Sequence, residues 1–356
     1  MAHGGRLILP VVELVKAVDG LWQRGWLPYD VREMVSRSLD ESATSLVVDV
    51  IALSCSPHPA MTVHPRWQRQ LDEIGATVWW EGPLLEAWAE RHIETQAFAS
   101  RTASELLAYL VRFPSLPRIL PLPGDGLMSA VRAGVDPKVL NRVRGLLAKA
   151  ESTSFPEEAE ALSAKAQELM NRHALERAML DADLPALATS RRMWLDKSYF
   201  KEKSQLVQVV ARAFRSRAVA YDGFGFVALV GDEVDLESIE LLSTSLLVQA
   251  TRAMVAAGGR AGKGSEARSR PFRKAFLVAY ASRIGERLED DAPVSDERLL
   301  PVLADRKQAV DTLFNEMFTR TRTSRVTVRS AAGWGAGRAA ANVADLGTGR
   351  SSVTSG

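Results

Sequence analysis

The sequence predicts a mainly α-helical protein with an α+β C-terminal domain and a central amphipathic helical hairpin. Three observations carry this. Residues 5–113 and 136–180 read as helical, with apolar side chains recurring at helical spacing. Residues 114–126, PSLPRILPLPGDG, hold four prolines and two glycines, which block helix and favour extended chain. Beyond Pro185 the pattern is mixed, with short alternating runs between helical ones. The organisation expected is a helical N-terminal domain at 1–113, a Pro/Gly-rich linker at 114–134, the hairpin at 135–180, a basic α+β domain at 190–346 and a disordered tail at 347–356.

The elements follow in order. Asp40 is placed to cap a helix carrying Leu46, Val47, Val50 and Ile51 on one side. Pro83 starts a helix with Leu84, Leu85, Trp88 and His92. Six of the eight tryptophans fall between Trp22 and Trp88, which suits aromatic core anchors in a small helical domain; an aromatic binding groove is the sharper alternative. In the hairpin, Asp136-Pro137 is a cap followed by proline at the first helical position, and Val139, Val143, Leu146 and Leu147 share a face. Pro156 opens the second helix, whose face carries Leu162, Ala166, Leu169, Met170 and His173. Further on, a strand is expected over 191–195 and a helix over 206–214. A β-hairpin is expected from 218–221 and 224–230 about Asp222-Gly223. Asp232 or Asp235 caps the next helix, a flexible basic loop spans 258–270, and helices return at 272–288 and 307–318. Residues 325–329 alternate like a strand.

Composition sets the outer limits. With 356 residues, 46% hydrophobic and 25% charged, the chain is ordinary globular material, which excludes collagen-like, disulfide-scaffold and wholly disordered classes. Its single cysteine, Cys55, permits no intrachain disulfide and suits a reducing compartment, so a cytoplasmic location is expected. The apolar stretch 7–18 is broken by Pro10, Glu13 and Lys16, unlike a signal peptide, and no run has the length of a membrane span. The net charge of +2 conceals an uneven distribution. Residues 252–287 hold nine basic side chains against two acidic ones, and 191–217 hold eight against two.

The hairpin carries a recognisable pattern. The run Val143-Arg144-Gly145-Leu146-Leu147-Ala148-Lys149-Ala150-Glu151-Ser152-Thr153, then Glu158-Ala159-Glu160-Ala161, then Lys165-Ala166-Gln167-Glu168-Leu169-Met170, resembles a bacterial and phage family known as domain of unknown function 2786. The resemblance covers residues 138–177. The region from Phe226 to the Gly-rich end is more weakly similar to the C-terminal part that often accompanies that domain. It implies no activity that transfers to named residues.

Lys149, Ser152, Thr153, Glu158, Lys165 and His173 are the candidate residues of this motif. Ser152 and Thr153 beside a helix start suit capping, with anion binding by free helix amides and Lys149 as the sharper alternative. His173, on a face with Leu162 and Met170, suits a core or interface position. Cys55, His58 and His64 sit together but among prolines and without a fourth ligand, so no metal site and no cofactor are expected. Gly258 to Ser265 lacks the glycine spacing and the Ser or Thr of a phosphate loop and follows a helix rather than a strand. Gly333-Trp334-Gly335-Ala336-Gly337 lacks the dinucleotide spacing.

The basic surface is the strongest remaining signal. Arg260, Lys263, Arg268, Arg270, Arg273 and Lys274 are the candidate polyanion-binding residues, because guanidinium forks bind phosphate bidentately. A solvated face, neutralised by the acids of 288–297, is the plainer alternative. The function expected is non-enzymatic: association with DNA or RNA, or an adaptor role toward another protein, with no membrane partner. The alternatives are a hydrolase or nuclease with a carboxylate site and a protein-interaction scaffold built on the Trp-rich domain.

Overall fold

The computed structural model describes residues 5–125, 137–152, 162, 165, 166, 169, 170, 187–260, 266–290, 300–322, 327–344 and 346. The chain divides into two compact units, Met1–Val131 and Arg132–Gly356. It is mainly helical, with one small antiparallel sheet in the second unit.

The first unit holds α1 (Gly5–Gln23), α2 (Pro28–Ser36), α3 (Glu41–Cys55), α4 (Pro65–Ile74), α5 (Leu84–His92) and α6 (Gln96–Leu110). Asp40 caps α3 as expected, its carboxylate accepting the Ala43 amide at 2.8 Å. Thr95 does the same for α6 through the Phe98 amide. Leu14, Val18 and Leu21 of α1, Leu46, Val50 and Ile51 of α3 and Leu106 of α6 are fully buried, and these three helices contact one another. Trp22, Trp26, Trp67 and Trp88 are buried in this unit, so four of the six clustered tryptophans anchor it. Trp79 is instead exposed, donating to Asp49 at 2.8 Å beneath the Arg91 guanidinium. The proline-rich segment lies along this unit. Leu116 and Leu120 are buried, the Leu116 amide donates to Arg24 O, and the Trp26 indole donates to Pro114 O. Gly25, at φ 83°, lets this segment approach: a Cβ there would stand 2.3 Å from Leu116 O.

The second unit opens with α7 (Pro137–Ser152). Val143 and Leu147 of α7 form a buried cluster with Ala166, Leu169 and Met170, and Leu241 packs against it. The expected pairing of two amphipathic segments is therefore present where the chain is described. Then come β1 (Thr189–Trp194), α8 (Phe200–Ala213), β2 (Arg217–Tyr221), β3 (Phe226–Gly231), α9 (Glu233–Arg260), α10 (Arg270–Asp290), α11 (Leu300–Met317) and α12 (Ala331–Asn342).

The sheet has the order β1-β3-β2, all antiparallel. Central β3 is buried throughout, as a strand covered on both faces must be. Val227 and Leu229 point to one face and join Met193, Val207, Leu242 and Phe276 in the main core. Val230 points to the other face and packs with Val310 and Phe314 of α11. No helix among the described residues is long and apolar enough to cross a membrane.

Several expectations need correction. The β2–β3 turn is longer than Asp222-Gly223: β3 starts at Phe226, and Gly225, at φ 93°, takes the left-handed position. The loop expected at 258–270 is shorter, because α9 runs to Arg260 and α10 starts at Arg270. Residues 327–330 are not a strand; they lead into α12, whose first turn Ser330 caps through the Gly333 amide at 3.0 Å. The rest of that expected strand lies outside the described residues, as do the expected tail 347–356 and the acids 291–297. The Gly-rich end is a helix, α12, which the sequence reading did not anticipate.

Candidate nucleic-acid interface

The two basic segments meet at the N-terminal ends of α8 and α10. A cleft of about 440 Å³ is lined by Lys197 and Lys201 from the first segment and Arg270 and Lys274 from the second. Two carboxylates line it as well, Glu202 and Asp222. The local folding explains the arrangement. Tyr199 takes a left-handed conformation, φ 57°, and turns the chain from the loop after β1 into α8. Lys201 and Glu202 then fall in the first turn of α8. Arg270 opens α10, and Lys274 follows four residues later on the same face.

The cations differ in what already holds them. Lys274 Nζ lies 3.1 Å from Glu202 Oε1, and Glu202 is only 3% exposed. That oxygen has no hydrogen-bond partner, so the contact is an ion pair without good hydrogen-bond alignment. Lys274 is thus committed to compensating a buried charge. Lys201 pairs with Asp222 at 3.1 Å, but both side chains are more than half exposed, where such a pair is worth little. Arg270 is exposed.

Aromatic rings lie at the same end of the sheet, on the face that Phe226 shares with Val230 rather than the face that α8 and α10 cover. Trp194, Phe226 and Tyr221 are direct cross-strand partners. Their ring centroids lie 5.1 Å (Trp194–Phe226) and 4.7 Å (Tyr221–Phe226) apart, and Phe224 stacks 5.9 Å from Phe226. Phe226 is fully buried, whereas Trp194, Tyr221 and Phe224 are half-buried around it. The Arg192 guanidinium sits over Phe226 at 5.6 Å. Burial raises the Tyr221 phenol above its ordinary pKa, with Arg192 pulling the other way. Trp194 also borders a second cleft of about 400 Å³ that includes Arg252. The Leu195 amide donates to Gly225 O at 3.0 Å, tying the end of β1 to the β2–β3 turn. Asp222 of that turn lines the basic cleft, so rings and cations share one end of the sheet.

The expected binding residues are only partly gathered here. Arg270 and Lys274 line the cleft. Arg268 instead donates to Gly258 O at 3.1 Å. Arg273 is half-buried on α10 and does not line it. Lys263 and the side chain of Arg260 lie outside the described residues. Other arginines of the same segment are structural. Arg287 donates to Ala341 O and Ala344 O at the C-terminal end of α12, and Arg283 pairs with Glu286. Lys197, Lys201, Trp194, Tyr221 and Phe224 were not singled out from sequence. The eight-to-two charge ratio of 191–217 was the signal for the lysines; nothing local marked the rings.

In the family motif, Lys149 and Ser152 are exposed, and the Ser152 hydroxyl donates to Lys149 O at 3.0 Å. Lys165 is exposed. Thr153, Glu158 and His173 lie outside the described residues. Cys55 is buried, and burial pushes its thiol up to about 11, against a smaller opposing pull from Trp67. Among the described residues no group of three or more His, Cys, Asp or Glu is placed to hold a metal ion.

No curated protein and no solved structure matches the chain. Residues 138–177, which carry the packed pair of α7 and the segment around Ala166, match the family described as a protein of unknown function (DUF2786).

Proposed function

We propose that the second unit binds nucleic acid, with backbone phosphates held in the cleft formed by Lys197, Lys201, Arg270 and Lys274. The observation that carries this reading is the convergence of two basic segments, some seventy residues apart in the chain, on one cleft. Two further points support it. Both α8 and α10 begin at the cleft, and the positive end of a helix favours a phosphate. Glu202 is occupied by Lys274, and Asp222 makes only an exposed pair that a phosphate can displace. The reading places the protein in the cytoplasm with DNA or RNA as partner.

The test is a binding titration with labelled DNA and RNA at low salt, comparing the full chain with Lys201→Gln/Arg270→Gln. These two residues are chosen because neither compensates a buried group, so folding is expected to be unchanged. The double variant is expected to bind both polymers about tenfold more weakly or worse, irrespective of sequence. Absence of binding by the unmodified chain at low salt would overturn the proposal.

A further inference from the structure

We infer that the ligand of this cleft is single-stranded nucleic acid, with its phosphates on Lys197, Lys201 and Arg270 and its unpaired bases stacked on Trp194, Tyr221 and Phe224. The inference rests on the nucleic-acid reading above and narrows it. Cations alone attract duplex and single strand alike, because both carry phosphates. Rings discriminate. In a duplex each base is covered above and below by its neighbours, and only an unpaired base can lay its face on a side chain.

The rings are placed for this. Tyr221, Phe224 and Phe226 lie nearly parallel, with interplanar angles of 25° (Tyr221–Phe226), 13° (Phe224–Phe226) and 23° (Tyr221–Phe224). Phe226 is fully buried against Tyr221 and Phe224, which stay partly exposed, Tyr221 with the Phe318 ring edge-on at 6.3 Å. A supported ring loses little freedom when a base stacks on it. Trp194 flanks the set on the other edge strand and borders its own cleft. The spacing is short along the chain as well. Asp222, which lines the basic cleft, sits between Tyr221 and Phe224, and Lys197 follows Trp194 by three residues. The Lys201–Asp222 pair joins the start of α8 to the turn that carries Phe224, so a strand that passes round this end of the sheet meets both the cations and the rings. Arg192, over the Phe226 ring, adds a cation beside the stacking surface.

The experiment uses the full chain and fluorescence anisotropy. Its probes are a labelled mixed-sequence DNA strand, that strand annealed to its complement, and the RNA strand of the same sequence. The single strand is expected to bind about tenfold more tightly than the duplex, the size of one good base–aromatic stack. Phe224→Ala and Trp194→Leu are each expected to weaken single-strand binding by about tenfold and to leave duplex binding unchanged. A thermal melt accompanies each variant. Phe224 lies in a surface turn, so it keeps the test alive if Trp194→Leu does not fold. The preference is expected for DNA and RNA alike, since stacking uses bases rather than sugar; a preference confined to one sugar also supports the inference and names that polymer. Equal affinity for single strand and duplex, with Phe224→Ala without effect, overturns the inference and leaves the broader reading standing. No binding to any probe at low salt overturns both.

Discussion

Asp235 is buried near Arg215, Asp232 and Arg306, and its carboxyl is pushed up to about 7, by burial first and then by Asp232, against the pull of the arginines. The consequence for stability has a definite sign. Between the ordinary value of 3.8 and about 7 the folded chain holds a proton that the unfolded chain has released. Stability contributed by this group therefore falls as pH rises through that window and is flat above it. Asp235→Asn is expected to remove the slope and to melt at higher temperature than the unmodified chain at pH above 7, by a few degrees or more. Thermal melts from pH 4 to 8 check this; identical profiles would refute it. Arg191 poses the opposite case. Burial works to lower its pKa, but Glu240, Glu233 and Glu237 raise it further than burial lowers it. Its guanidinium bonds all three glutamates at 2.5–2.8 Å and ties β1 to α9. Arg191→Met leaves three neighbouring carboxylates without their cation. A loss of about 3 kcal/mol or more is expected, read as a lower urea midpoint.

At the scale of elements, the α10–α12 contact shows what glycine does when it is not a loop residue. Gly333 and Gly337 lie one turn apart on α12 and face α10 directly. A Cβ on Gly333 would stand 2.5 Å from Phe272 O, and one on Gly337 2.2 Å from Phe276 O. Both obstacles are backbone, so the helices must separate to admit a methyl group. Gly335, on the far side of α12, meets nothing. Gly337→Ala is expected to cost about 1–3 kcal/mol. Gly335→Ala is expected to gain up to about 1 kcal/mol from helix propensity. Paired melts of the two variants check the sign of each. This element was not legible beforehand. Its glycines lack the spacing of a nucleotide loop, and glycines four apart in an Ala-rich run make a helix face for close approach only where a partner helix is present. The Asp40 cap, the β2–β3 hairpin and the α7 face were legible, because each depends on a few neighbouring residues. The hairpin turn was misplaced by two residues, since Gly223 and Gly225 are equally able to take a left-handed conformation and packing of β3 makes the choice.

At the scale of the molecule, the sequence showed that positive charge gathers in two segments but not that they meet. Their meeting depends on α8 packing against α10, a contact between residues some seventy apart, and no local pattern encodes it. Within the segments, sequence treated the basic residues as equivalent, whereas folding divides their labour. Arg283 and Arg287 secure α12, Lys274 compensates Glu202, and Arg270 and Lys201 remain at the cleft surface. The aromatic partners were hidden for another reason. Trp194, Tyr221 and Phe224 look like ordinary strand residues, and only register brings them around Phe226. The tryptophan cluster of the first unit is more conspicuous in sequence and is mostly core.

The salt dependence of affinity tests the central claim most directly. Binding of a labelled single strand to the full chain is measured over a series of salt concentrations, for the unmodified protein and for Lys201→Gln/Arg270→Gln. If Lys197, Lys201 and Arg270 hold phosphates while Lys274 stays on Glu202, log K falls linearly with log salt with a slope of about −2, and the double variant removes roughly two-thirds of it. A slope near zero, or one that the double variant leaves unchanged, would contradict a phosphate-binding cleft at this end of the sheet.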